Sequence, residues 1–222
     1  MVRKPDQLLS VPGRHALNKD CFITRLQVTY PDALIVHRLD LDTSGVMIVA
    51  RGKDSQRALN ALFSERKVEK VYEAWVVGMP DKEVGLIDAP IARDWHNRPR
   101  QKLSPEGKPS LTRYRVLDGF SRPQSDAAAI GDARTRDGSV VARLELNPET
   151  GRSHQLRIHC AGLGHAILGC DLYAPPDVLG RAPRLMLHAT RIQFRHPFRD
   201  QILVGHSPPP SIFSSQNLLR FI

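Results

Sequence analysis

Two rhythms of apolar and polar positions run along the chain. A helical spacing covers Cys21 to Tyr30, with Phe22, Ile23 and Leu26 on one face, Asp20 placed to cap it and Pro31 to end it. A second helix follows Asp54 and carries Ala58, Leu59, Leu62 and Phe63 at helical spacing. Between them, Gly45 to Ala50 is apolar and β-prone and predicts a buried strand. Lys70 to Val77, Leu111 to Leu117 and Val140 to Leu146 predict further strands. A helix is expected from Ser153 to Leu163, with Ser153 as its cap, and strands at Leu185–Ala189 and Arg191–Phe194. Leu8 to Gly13 reads as the end of a strand and a turn. Ser121 to Gly138 is polar and poorly periodic, and reads as a variable or mobile loop. From Ser207 on, Pro208-Pro209-Pro210 suggests a tail. Strands and helices mix without a βαβ rhythm, so the expected class is α+β with a mixed, largely antiparallel sheet.

Ile91 to Arg115 follows neither rhythm. It holds Arg93, Arg98, Arg100, Lys102, Lys108, Arg113 and Arg115 against only Asp94 and Glu106, and Pro99, Pro105 and Pro109 keep its centre out of helix and central strand. The expectation is an exposed basic loop with hairpin character. Trp95 and His96 among these cations favour nucleic-acid contact, through base stacking combined with phosphate pairing.

Composition sharpens this. Among 222 residues, 41% are hydrophobic and 25% charged, which excludes wholesale disorder. Val46 to Ala50 is the longest apolar run, far short of a membrane span. No apolar stretch follows the basic Met1-Val2-Arg3-Lys4 start, so no signal peptide is expected. The 3 cysteines form no C-x-x-C pair, against a disulfide framework or zinc ribbon, and suit a reducing cytoplasm. The net charge is +9, and arginine supplies 24 of the 32 basic residues. Its flat, forked guanidinium suits phosphates and base faces, so a polyanion, with nucleic acid first, is the expected partner.

Two segments could carry chemistry. In His37-Arg38-Leu39-Asp40-Leu41-Asp42-Thr43-Ser44-Gly45 a carboxylate precedes a turn and a buried strand, a placement that suits a nucleophile or base; a turn whose side chains merely satisfy backbone groups is the plainer account. Asp40-x-Asp42-x-Ser44-Gly45 opens like a calcium loop, but the position of the bidentate Glu holds Arg51, which excludes calcium. In Thr150-Gly151-Arg152-Ser153-His154-Gln155-Leu156-Arg157-Ile158-His159, the apolar face is Leu156, Cys160 and Leu163, with Arg157 at its border, able to hold a carboxylate in a cleft. His154, His159, His165 and Cys160 do not converge on one helix face, so no metal site is expected. Neither a phosphate-binding Gly-rich loop nor a G-x-S-x-G elbow is present.

His37-Arg38-Leu39-Asp40-x-x-Thr43-Ser44-Gly45 resembles the signature of the RluA-type pseudouridine synthases. Lys70-Val71-Tyr72-Glu73-Ala74, Gly151 to His159 and Leu185-Met186-Leu187-His188-Ala189 resemble that family's later motifs, in order. Leu8 to Gly13 and Asp94-Trp95-x-Asn97-Arg98-Pro99-x-Gln101-Lys102 resemble its branch with dual tRNA and 23S rRNA specificity. The resemblance implies the pseudouridine synthase fold, with helices and RNA-binding loops around a central cleft. It implies isomerisation of a flipped-out uridine to pseudouridine without cofactor or metal. Asp40 would be the essential residue, as nucleophile or as trigger of elimination to a glycal. Arg157 would pair with it, Tyr72 would stack on the uracil and handle a proton, Arg38 would fill the space the base leaves, and Leu187 would be apolar wall. Arg93, Arg98, Arg100 and Lys102 would grip RNA. A tRNA anticodon stem-loop and a 23S rRNA hairpin are the implied substrates, and a cytoplasmic monomer the expected form. One catalytic domain is expected over residues 1–206 and a tail over 207–222. No residues remain for the accessory S4 domain, and no strand is expected before Lys4-Pro5-Asp6-Gln7, so an edge strand would be missing or the start truncated. The competing readings are a non-catalytic RNA-binding or RNA-folding protein on the same scaffold and a metal-dependent RNA hydrolase.

Overall fold

The computed structural model describes residues 1–13, 15, 18–121 and 140–221. In chain order its elements begin with β1 (Val2–Lys4), α1 (Phe22–Thr29), β2 (Ala33–Ile35), β3 (Ser44–Met47), β4 (Val49–Arg51), α2 (Gly52–Ser64) and β5 (Val68–Val77). Then come β6 (Val84–Asp88), β7 (Ile91–Arg93), β8 (Gln101–Leu103), β9 (Leu111–Ser121) and β10 (Val140–Pro148). α3 (Gln155–Gly162), α4 (Pro176–Leu179), β11 (Leu187–Arg195), β12 (Ile202–His206), a 3-10 turn (Ser211–Phe213) and α5 (Ser215–Leu218) follow. They form two compact units, Met1–Val71 with His188–Pro208, and Tyr72–Leu187 with Pro209–Ile222. The borders fall inside β5 and β11.

In the first unit β3 pairs antiparallel with β1 and parallel with β11, and β12 pairs antiparallel with β11. A strand therefore does precede Pro5: Val2, Arg3 and Lys4 lie opposite Met47, Val46 and Gly45, correcting the expectation of a missing edge. Gly45 has φ +127°, and a Cβ there would collide with the Ala189 backbone, so only glycine admits this close parallel approach. The predicted strand Gly45–Ala50 is two strands. It breaks at Ile48, whose N–H donates to His37 Nε2 (2.9 Å), and β4 then pairs with β2 in a second small sheet. Cys21 and Ile23 of the α1 segment bury against Ala33 of that sheet. Cys21, not Asp20, caps α1. The Cys21 N–H donates to Thr24 Oγ1 (3.2 Å), and Asp20 is drawn aside into an ion pair with Arg25.

In the second unit the Tyr72–Val77 part of β5, then β10, β9 and β6 form an antiparallel sheet. Along β10, Leu144, Leu146 and Pro148 are buried while Arg143, Glu145 and Asn147 are half-buried, the period-two pattern of a sheet with one covered face. Trp75, Leu144, Leu146, Ile167, Leu168 and Met186 make the core, with Leu156 and Cys160 of α3 packed onto them. Residues beyond Ser207 do not trail away as a tail: Phe213 and Leu218 are buried in this core, and Trp75 Nε1–H donates to the Phe213 carbonyl (2.9 Å). Proline hid this packing, because three prolines in succession say nothing about the apolar residues after them.

Two other expectations shift. α3 starts at Gln155, with His154 (φ 54°) rather than Ser153 at the cap. The two strands read at 185–194 are one, β11. β6 and β12 had no clear alternation in sequence. The Ser121–Gly138 loop lies, beyond Ser121, outside the described residues. Among the described residues no helix is long and apolar enough to cross a membrane.

Candidate active site

Asp40 lies in the loop from β2 to β3, half-buried, and its neighbours are fastened on both sides. Before it, the Leu39 N–H donates to Ser10 Oγ (3.1 Å), and the Ser10 hydroxyl donates back to the Leu39 carbonyl (2.7 Å). After it, the Leu41 carbonyl accepts from the Lys4 ammonium (3.0 Å) and from the Leu8 N–H (3.2 Å). Lys4 is only 1% exposed and also donates to the Pro5 (2.7 Å) and Leu8 (2.6 Å) carbonyls. A buried cation is tolerated because oxygen acceptors replace its water. The turn closes with the Thr43 N–H on the Asp40 carbonyl (3.2 Å). The backbone carrying Asp40 is thus held in place from the Lys4–Ser10 segment, as a well-placed reacting group requires.

Two imidazoles lie in the same unit. His37 stacks on Phe63 (4.6 Å between ring centres) and accepts the Ile48 N–H; burial, helped by the Lys70 charge, pushes its pKa down to about 3, so it stays neutral. His188 Nε2 lies 3.1 Å from both the Ser207 carbonyl and the Ser207 hydroxyl, and Nδ1 faces the Ser44 hydroxyl at 2.7 Å. Arg38 is exposed.

Tyr72, Arg157, Leu187 and the basic hairpin belong to the second unit. Tyr72 is half-buried on β5, opposite Leu146, and packs against the core. Leu187 is buried in the same cluster. Arg157 is the third residue of α3 and only 3% exposed, deeper than the helix-border position expected for it. Its Nη2 donates to Asp171 Oδ1, its Nε to Cys170 Sγ (3.3 Å), and its guanidinium lies 5.6 Å from the Tyr173 ring centre. Within the second unit Arg157 is thus paired with Asp171, a carboxylate the sequence reading did not single out. The available signal was the Gly169-Cys170-Asp171 turn after an apolar run, a pattern common to many turns.

Tyr173 also escaped the sequence reading. Its hydroxyl accepts the Gln101 N–H (2.8 Å) and lies 2.9 Å from His154 Nδ1, while the Arg100 guanidinium is 5.6 Å from its ring centre. One phenol thus joins the basic hairpin, the start of α3 and Arg157. Gln155 anchors the same helix end: its carbonyl accepts from the Thr150 hydroxyl (2.7 Å) and the Arg152 N–H (3.0 Å), and its amide donates to the Leu111 carbonyl and Thr112 Oγ1 (both 3.0 Å). That side chain ties the segment before the helix and the start of β9 to the first residue of α3.

The histidines and the cysteine of the excluded metal site are engaged elsewhere. His159 bonds Thr112 (2.9 Å) and the Ala89 carbonyl (3.0 Å), and burial lowers its pKa; His165 bonds the Val77 carbonyl (2.9 Å). Burial pushes the Cys160 thiol up to about 12. Among the described residues no group of three or more His, Cys, Asp or Glu side chains could hold a metal ion.

β7 and β8 form the hairpin foreseen in the basic stretch, with Arg93 opposite Gln101. Arg93, Arg98, Arg100 and Lys102 are all exposed, and none makes an ion pair among the described residues.

Residues 1–162 match the family described as RNA pseudouridylate synthase. The chain is 46% identical over 198 residues to the dual-specificity RNA pseudouridine synthase RluA of Salmonella typhi, covering 89% of this chain and 83% of that one. It is 40% identical over 210 residues to the RluA of Pasteurella multocida, covering 94% and 88%. Among solved structures, human RNA pseudouridylate synthase domain containing 1 superposes with a TM-score of 0.72 at 26% identity, covering 98% of this chain and 89% of that one.

Proposed function

The chain belongs to the RNA pseudouridylate synthase family, and from that premise we propose which of its residues carry the reaction. It is an enzyme that isomerises uridine in RNA to pseudouridine. The N1–C1′ bond breaks, the uracil turns, a C5–C1′ bond forms, and the proton C5 loses is matched by one that N1 gains. Reactant and product have the same atoms and oxidation level, so no group donor or redox partner enters the balance. A non-catalytic role on the same scaffold is not favoured, because the family and the relatives above are synthases by description.

Asp40 supplies the carboxylate that acts at the ribose. The observation that carries this reading is the double fastening of its backbone, Leu39 to Ser10 and Leu41 to Lys4, which commits two buried polar side chains to one loop carboxylate. Tyr72 stacks on the uracil, and its phenol moves a proton at the ring. Arg157, oriented by Asp171, supplies a fixed positive charge to the reacting groups. Leu187 is apolar wall and Arg38 fills the space of the extruded base. Extruding the uridine costs a few kcal/mol, less from a loop than from a duplex. Arg93, Arg98, Arg100 and Lys102 grip the surrounding phosphates, and their lack of ion pairs among the described residues supports this.

The substrates are a tRNA anticodon stem-loop and a hairpin of 23S rRNA, supported by the resemblance of Leu8–Gly13 and of the hairpin to the dual-specificity branch. The enzyme works as a monomer in the cytoplasm, a compartment that suits three buried free thiols. The test is Asp40→Asn, nearly isosteric. Carbodiimide mapping of treated RNA is expected to find no pseudouridine, while filter binding finds RNA affinity retained. Full activity in that variant refutes the assignment.

A further inference from the structure

The chain has 2 tryptophans, and they are treated oppositely. Trp75 is fully buried, whereas Trp95, on the turn between β7 and β8, is 60% exposed. An indole left in water on a floppy loop would carry no message, but this turn is built. Asp94 Oδ1 accepts the N–H groups of His96 and Asn97 (both 3.3 Å), and Oδ2 accepts the Asn97 amide (2.9 Å). The Asp94 N–H donates to the Arg100 carbonyl (3.1 Å), and the Arg100 N–H donates to the Asn97 carbonyl (2.8 Å). The Asn97 amide and the two backbone donors hold the Asp94 carboxyl below its usual range, so it stays charged and bonded. The hairpin base is fixed as well. Gln101 bonds Tyr173, and Leu103 lies so close over α3 that a Cβ on Gly162 would collide with its Cδ1. Two cations flank the ring, with the Arg98 guanidinium 4.4 Å and the Arg93 guanidinium 5.6 Å from its centre.

We infer that Trp95 is the stacking platform of a second base subsite, which takes an unpaired RNA nucleobase other than the uridine that reacts. The inference rests on the RNA-synthase reading and deepens it. A flat face next to cations without carboxylate partners among the described residues matches one nucleotide: the base lies on the indole and the guanidinia take the neighbouring phosphates. A base inside a duplex has both faces covered by its neighbours, so the platform selects loop over helix with little preference among bases. Because the turn is already ordered, little conformational entropy is lost when the base lands.

The test titrates a short RNA stem-loop, and a fully paired duplex of equal length, into wild type and into Trp95→Ala and Trp95→Phe variants. In wild type the stem-loop is expected to quench tryptophan emission. Trp95→Phe, which retains Trp75 as the only tryptophan, is expected to lose the quench while keeping most of the affinity. Trp95→Ala is expected to weaken stem-loop binding by about 5- to 150-fold, the range base–aromatic stacking provides, with duplex binding unaltered. Equal affinity of Trp95→Ala and wild type for the stem-loop overturns the inference. So does an equal loss on both RNAs, which would mark a collapsed hairpin. Pseudouridine formation by wild type is scored separately: if wild type makes pseudouridine and Trp95→Ala binds normally, only the platform fails, and if wild type makes none, the synthase reading fails.

Discussion

The second unit uses arginine in two ways. On the sheet, Arg113 pairs with Glu149 (2.6 Å), Arg115 with Glu145 (3.3 Å), and Arg143 with Asp118 (2.5 Å) and Glu73 (3.6 Å). On the hairpin, Arg93, Arg98 and Arg100 pair with no carboxylate among the described residues and lie near aromatic rings instead. The residue type is the same, and Arg113 and Arg115 share one basic stretch of sequence with the hairpin set, yet the sheet set is paired within the fold and the hairpin set is not. A net charge of +9 therefore does not by itself locate a polyanion site; the proposal for the hairpin rests on cations left without internal partners among the described residues.

Arg157 is the extreme of the partnered class, and it should respond most. Arg157→Lys keeps the charge but loses the forked donors to Asp171 and Cys170, and turnover on stem-loop RNA is expected to fall about 100-fold with a small change in Kd. A rise in Kd alone, with turnover intact, would place Arg157 with the hairpin cations. Next comes His37, a buried base without its proton. Its folded pKa of about 3 lies below the ordinary 6.5, so below pH 6.5 the unfolded chain takes up a proton that the folded chain declines. Stability contributed at neutral pH is lost as pH falls, by roughly 2 kcal/mol between pH 6.5 and about 5, at ~1.4 kcal/mol per unit. Urea denaturation at the two pH values measures it, and His37→Gln should flatten the slope.

The two arginine sets can then be set against each other. Arg98→Ala with Arg100→Ala is expected to weaken RNA binding about tenfold and to reduce the salt slope by roughly 0.7 to 0.9 for each phosphate no longer neutralised. Arg113→Ala with Arg115→Ala should leave the slope as it was; an equal change in both would abolish the distinction. The smallest effect belongs to Thr43, whose buried hydroxyl has no hydrogen-bond partner among the described residues. Thr43→Val removes that unmet group and should stabilise the fold by up to about 1 kcal/mol in thermal or urea denaturation.

Much was legible before folding. Period-two alternation located β5, β9 and β10, helical spacing located α1 and α2, and proline with clustered cations located the hairpin. Boundaries and caps were less so, because Cys21 and His154 stand at the caps where Asp20 and Ser153 were expected. Edge strands with little alternation, β1, β6 and β12, were invisible for the same reason that they are edges: pairing partners, rather than pattern, make them strands.

Local order in the chain was enough for the class of the fold, the basic hairpin and the Asp40 turn, since each depends on neighbours within a few residues. Which carboxylate meets Arg157, that Tyr173 links it to the hairpin, and that Lys4 and Ser10 hold the loop of Asp40 were left to folding. Those contacts join residues many positions apart, and spacing along a chain carries no information about pairs that only the packed core brings within hydrogen-bond reach.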